Sequence, residues 1–151
     1  MKELTPQILE KKLIFQENYD SSIPTIFVDP KLISIVIENL MSNAVKYTPN
    51  NGKISLEVKK EGDSVILKVS DTGVGIPENQ QNKIFSKLFR ADNAKEIDPD
   101  GAGLGLYIVK EIIDHSVGTI WFESQEGKGT TFYVKLPLSG MQKRGGARKL
   151  E

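Results

Sequence analysis

Asn39-Leu40-Met41-Ser42-Asn43-Ala44-Val45-Lys46-Tyr47-Thr48 closes the most strongly patterned helix in the sequence, and the rest of the chain is read outward from it. An α-helix advances about 100° per residue, so Asn39, Asn43 and Lys46, four and three apart, project from one side. Ile33, Ile37, Leu40, Met41 and Ala44 fall on the opposite side, an apolar face wide enough to pack on a sheet. Carboxamide oxygens can complete the coordination of a hard cation such as Mg²⁺, and a lysine can meet phosphate oxygens as a point charge. The same residue types also suit a solvated helix face, so this stretch alone leaves both readings open. Asp29-Pro30 supplies a carboxylate cap and a proline at the first helical position, and Thr48-Pro49-Asn50-Asn51-Gly52 is turn chemistry. The helix is expected over 30–47.

Downstream, Lys53 to Lys59 alternates with period two, Glu61-Gly62-Asp63 is a tight turn, and Val65 to Ser70 returns as an antiparallel strand. Upstream, Lys12 to Glu17 reads as a strand and Ile23 to Val28 as a shorter extended piece in which Pro24 suits an edge. Asp71-Thr72-Gly73-Val74-Gly75-Ile76-Pro77 follows the hairpin, then a short helix over 78–85. Residues 90–102 read as a long polar loop, and loops of that length in compact domains are usually functional or disordered. A second amphipathic helix opens from Gly103-Leu104-Gly105-Leu106, and Thr119 to Ser124 and Thr130 to Leu136 are two more strands. Trp121 and Phe122 are expected to serve core and sheet packing. The expected domains are a linker remnant over 1–11, one folded unit over 12–138 and a disordered basic tail over 139–151.

The 151 residues suit one domain with a sizeable core. Lys plus Arg and Asp plus Glu each number 20, so no large net charge points to nucleic acid or an anionic membrane. Cysteine is absent, which excludes disulfides, thiolate metal sites and cysteine nucleophiles. No apolar run approaches the roughly 20 residues that cross a bilayer, and no signal-peptide pattern opens the chain.

Two further motifs carry chemistry. Asp71 sits where a strand ends and a glycine-rich turn begins, and Gly73 and Gly75 let the backbone approach a flat ligand closely. A carboxylate there only accepts hydrogen bonds, so it favours a donor such as the exocyclic amine of adenine over the carbonyl of guanine. Gly101-Ala102-Gly103-Leu104-Gly105-Leu106 is a glycine run at a helix start, where free N–H groups and the helix dipole attract anions. It is not the dinucleotide fingerprint, because it follows a loop rather than a strand.

The order of these pieces, with Phe85, Phe89-Arg90 and Gly127-Lys128-Gly129-Thr130, resembles the catalytic ATP-binding domain of sensor histidine kinases. That branch belongs to the GHKL ATPases, with gyrase, heat-shock chaperones and mismatch-repair proteins, and the resemblance runs from about Leu13 to Pro137. It implies an α+β fold, a two-layer α/β sandwich whose mixed, mostly antiparallel sheet of about five strands carries helices on one face. It implies that Asn43 is the Mg²⁺ ligand, with Asn39 beside it, that Lys46 contacts phosphates and that Tyr47 lines base and ribose. Asp71 then reads the adenine amine, with Gly73, Gly75 and Ile76 shaping the pocket and Thr130 supporting it. Phe85 and Phe89 match the motif anchoring a mobile lid over 86–104, and Arg90 an arginine at the γ-phosphate. Gly101, Gly103, Leu104, Gly105 and Leu106 would close the lid and meet the phosphates.

Gyrase-like relatives carry a water-activating glutamate four residues before the metal-binding asparagine; here that position is Asn39. Glu38 lies about 140° around the helix from Asn43, too far to substitute. A surviving γ-phosphate favours a kinase over an ATPase. The only histidine, His115, is one residue away from the family's histidine position and reads as a helix C-terminal cation. The resemblance therefore implies an ATP- and Mg²⁺-using protein histidine kinase whose acceptor histidine lies on a separate dimerisation domain, with a response regulator downstream. It also implies a cytoplasmic location, a monomeric fragment of a homodimeric whole, and no nucleic-acid partner. The alternatives are a serine-directed anti-sigma-factor kinase, a non-catalytic nucleotide-sensing interaction module, or an ATPase.

Overall fold

The period-two stretches become β1 (Ile14–Tyr19), β2 (Lys53–Glu61), β3 (Ser64–Asp71), β4 (Thr119–Gln125) and β5 (Gly129–Pro137). They form one sheet in the order β1-β2-β3-β5-β4 in the computed structural model of the chain, which describes residues 3–140. β1 runs parallel to β2 and the other neighbours are antiparallel. The parallel pair follows from its connection, because α2 (Pro30–Tyr47) lies between β1 and β2 and carries the chain back across the sheet. The sheet and the helices on its covered face are the α+β sandwich expected from the sequence.

Asp29 caps α2, accepting from Lys31 N at 2.9 Å and Leu32 N at 3.4 Å. The fully buried face of α2 is Val36, Leu40, Met41, Ala44 and Val45, while Ile33 and Ile37 pack at its margin. The buried stripe lies partly around from the face expected, because α2 packs on α4 (Gly105–His115) as well as on the sheet. On the other face of the sheet Trp121 stacks on Tyr133 at 5.2 Å, whereas Phe122 joins the core side. The two neighbours on β4 thus split between the faces, as period two requires.

Residues 1–11 include α1 (Thr5–Glu10), and Leu4 and Ile8 pack against the core. Lys11 then reaches the end of α2, where its Nζ donates to the carbonyls of Val45, Lys46 and Thr48 at 2.8, 2.9 and 3.1 Å. Carbonyls left open in the last helical turn are thereby satisfied by one ammonium. Thr48 is buried and turns its hydroxyl back to Ala44 O at 2.6 Å.

Two expectations are corrected. Ile23 to Val28 forms no strand; Pro24 offers no ladder donor and Phe27 is 86% exposed. The long polar stretch is not structureless, since Asp92–Ile97 forms a helix, α3. Six residues are too few to be stable alone, and tertiary bonds hold α3 instead. Gln80 and Asp92 bond reciprocally, Nε2 to Oδ2 at 2.7 Å and backbone N to Oε1 at 3.0 Å. The short helix expected over 78–85 is a 3-10 helix, Glu78–Lys83. Residues 141–151 of the expected tail lie outside the described residues.

Candidate functional site

β3 delivers Asp71 to the end of the sheet, where its Oδ1 accepts from Gly73 N at 2.8 Å and Thr130 N at 3.2 Å. One oxygen is thus committed to the protein and Oδ2 is left for a ligand. Burial pushes the Asp71 carboxyl up to about 6, against the two N–H groups that favour the anion. Gly75, in a left-handed conformation (φ 69°), sits against the Gln125 carbonyl with no room for a Cβ. Ser124 ties the turn to the sheet, accepting from Ile76 N at 2.8 Å and sharing a hydrogen bond with Thr130 Oγ1 at 2.7 Å.

From this floor a cleft of about 260 Å³ runs along α2 to the start of α4. Asn39, Asn43 and Lys46 border it in a row, with Tyr47 beside Asp71's end. The Asn39 amide donates to Ile35 O at 2.7 Å, and its Oδ1 approaches Gly105 so closely that a Cβ there would stand 2.8 Å away. Glycine at the head of α4 is what lets the two helices meet at the cleft. No other described residue claims the Asn43 carboxamide, which leaves its oxygen for a ligand. Lys46 Nζ pairs with Asp98 Oδ2 at 3.0 Å, and that contact holds the Asp98 carboxyl below its usual range.

The far wall is the segment expected as the lid. Phe85 anchors its base edge-on against Phe122 and Phe132, centroids 5.8 and 6.4 Å away. Phe89 packs against the core and borders the cleft. Arg90 donates to Ala94 O at 3.2 Å and to Pro99 O at 3.4 Å, so its guanidinium braces the lid from within. Asn93 ties α3 to the turn after β3 through Gly75 O at 2.8 Å. Gly101, Gly103, Leu104, Gly105 and Leu106 complete the wall at the α4 N-terminus.

A half-buried acceptor at one end, and cations with free helix N–H groups at the other, suit a nucleotide. The chain matches the histidine kinase-, DNA gyrase B- and HSP90-like ATPase family over residues 28–140. It belongs to that family. This ATPase-family chain is 41% identical over 145 residues to the adaptive-response sensory kinase SasA of Synechococcus sp. strain JA-2-3B'a(2-13). The match takes in 95% of this chain and 38% of that relative, so the chain spans well under half of the relative's length. Its fold superposes on the catalytic domain of histidine kinase ThkA with a TM-score of 0.78 at 31% identity, covering 95% of this chain and 90% of that one. ThkA has also been solved in complex with the response regulator protein TrrA; the likeness there has a TM-score of 0.72 at 28% identity, covering 91% of this chain and 37% of that one.

Of the residues assigned to the site from sequence, all but Gly73 border this one cleft, and Gly73 stands just behind it on Asp71 Oδ1. His115 is exposed at the end of α4 and bonds to Glu111 O at 2.7 Å, away from the cleft. Glu38 is exposed and does not border it either. Sequence reasoning missed Ser42, Asn93, Asp98 and Ser124. Asn93 and Asp98 lie in the stretch taken as loop, and a single serine on β4 carries no pattern that separates it from any strand hydroxyl.

Proposed function

We propose that this chain is the ATP-binding catalytic domain of a sensor histidine kinase, donating the γ-phosphate of Mg-ATP to a histidine on a separate dimerisation domain. The observation that carries the reading is the cleft itself. It joins one half-buried carboxylate, with an oxygen left for a ligand, to two cations, and the position one helical turn before Asn43 carries Asn39, an amide that cannot take a proton from water.

Asp71 Oδ2 accepts from the adenine amine and rejects the guanine carbonyl. Tyr47 and Ile76 flank base and ribose. Lys46, Arg90 and the N–H groups at the head of α4 face the phosphates, Arg90 after leaving its lid carbonyls. The unclaimed Asn43 oxygen fits the one or two protein ligands that Mg²⁺ takes beside phosphate oxygens, and Asn39 stands one turn away. When bound, Mg²⁺ neutralises charge on the transferring phosphates. The domain contributes positioning and charge neutralisation, the main sources of rate in phosphoryl transfer. Response-regulator partnership, dimerisation through the separate domain and a cytoplasmic location complete the proposal. Among the described residues no helix is long and apolar enough to cross a membrane.

The test is equilibrium binding of ATP and GTP with and without Mg²⁺, followed by phosphorylation of an added dimerisation domain. ATP preference over GTP, a Mg²⁺ dependence lost in Asn43→Ala, and acid-labile, base-stable phosphate on the added domain are expected. Tight ATP binding without transfer to any such domain would favour a nucleotide-sensing module.

A further inference from the structure

Lys46 enters the cleft from α2 and Arg90 from the foot of the lid, and one carboxylate meets both. Asp98 Oδ2 stands 3.0 Å from Lys46 Nζ and 3.8 Å from Arg90 Nη2. Asp98 is the residue immediately after α3 and borders the same cleft. Its place is defined on several sides. Asp98 N donates to Ala94 O at 2.9 Å, Gly101 N approaches Asp98 O at 3.3 Å, and Arg90 bonds the carbonyls of Ala94 and Pro99 on either side. A Cβ at Gly101 would stand 2.7 Å from both Arg90 Nη2 and Asp98 Oδ2, so a glycine makes room for the cluster. The Asp98 side chain nevertheless keeps 26% of its surface, open enough for a ligand to compete for its partners.

We propose that Asp98 is a built-in counter-ion for the phosphate end of the cleft, which the phosphates of a nucleotide must displace. The inference rests on reading the cleft as an ATP site. Two cations converging on one place repel each other, and the Asp98 carboxylate between them relieves that repulsion. A polyphosphate brings more charge and more acceptor oxygens than one carboxylate, so it wins both cations, but only after each gives up Asp98. Adenosine makes no such exchange. Asp98 therefore lowers phosphate affinity by the strength of its own pairs with Lys46 and Arg90. Because Asp98 follows the last turn of α3, freeing it also frees the lid on that side.

The experiment is calorimetric titration of wild type, Asp98→Asn, Lys46→Ala and the double variant with adenosine, ADP, ATP and inorganic tripolyphosphate, without Mg²⁺. Asp98→Asn is expected to tighten ATP, ADP and tripolyphosphate about 2- to 5-fold, the range of a partly exposed ion pair, and to leave adenosine unchanged. The gain should shrink in the Lys46→Ala background, where only the longer pair with Arg90 remains. Without ligand, amides 92–104 should exchange faster in Asp98→Asn than in wild type. Equal tightening of adenosine, weaker binding of the phosphates, or a gain undiminished in Lys46→Ala would overturn the proposal. Tripolyphosphate and lid exchange do not involve the adenine pocket. They decide the counter-ion role even where adenosine and ATP fail to bind, a failure that would count against the ATP reading instead.

Discussion

Replacing Asp71 by asparagine should make the domain more stable and less functional at once. The Asp71 carboxyl is raised from 3.8 to about 6 by burial, so its folded form holds a proton that the unfolded chain has already released between those values. Stability from this group is therefore full below pH 3.8 and is lost as pH rises through 6. At neutral pH the ionised side chain costs ~3 kcal/mol, at about 1.4 kcal/mol for each pH unit of that rise. An asparagine side chain keeps one oxygen for Gly73 N and Thr130 N and carries no charge, so Asp71→Asn should recover about 1–2 kcal/mol at pH 8, the remainder being its own desolvation. For a domain of this size that is roughly 3–8 °C in Tm. The gain should shrink as pH falls through 6 and disappear near 4. With its oxygen so committed, the substituted carboxamide would turn its N–H groups toward the adenine amine, donor against donor, at ~1–3 kcal/mol or about 5- to 150-fold in ATP affinity. Thermal melts from pH 4 to 8, with ATP titrations at pH 8, measure both arms. A stabilisation independent of pH, or unchanged ATP affinity in a folded variant, would refute the reasoning.

Three further outcomes are expected. Lys11→Met, which removes the shared donor from the carbonyls of Val45, Lys46 and Thr48, should cost ~1–3 kcal/mol in urea denaturation and weaken ATP binding through the loosened end of α2. Gly75→Ala must carry a Cβ at φ 69° against the Gln125 carbonyl, so a loss of ~2 kcal/mol or more and little ATP binding should follow, read by the same two assays. ATP turnover by the isolated chain should be slow, and Glu38→Ala should leave it unchanged in a phosphate-release assay, because Glu38 is exposed off the cleft. Fast turnover abolished by that substitution would mean a base has been overlooked.

Local signals were enough for much of this protein. Asp29-Pro30 starts α2 where expected, and Thr48-Pro49 ends it, because caps and proline act within one turn of themselves. The β2–β3 hairpin, β4, β5 and the glycine-led α4 were legible for the same reason: alternation and punctuation are written in neighbouring residues. Asn39, Asn43 and Lys46 could be grouped because helical geometry alone puts them on one side.

Tertiary structure decided whatever depends on groups distant in sequence. α3 exists because Gln80, Gly75 and Arg90 bond to it, not because its six residues prefer to be helical. The end of α2 is shaped by Lys11, 34 residues or more before the carbonyls it bonds. The sequence marks Asp71 as an acceptor, but only the fold decides that one oxygen is committed to Gly73 N and Thr130 N and the other left for a ligand. Asp98 reads as a polar loop residue until Lys46 and Arg90 converge on it. A charge has a role only through the distance and burial of its partners, and both are properties of the folded chain.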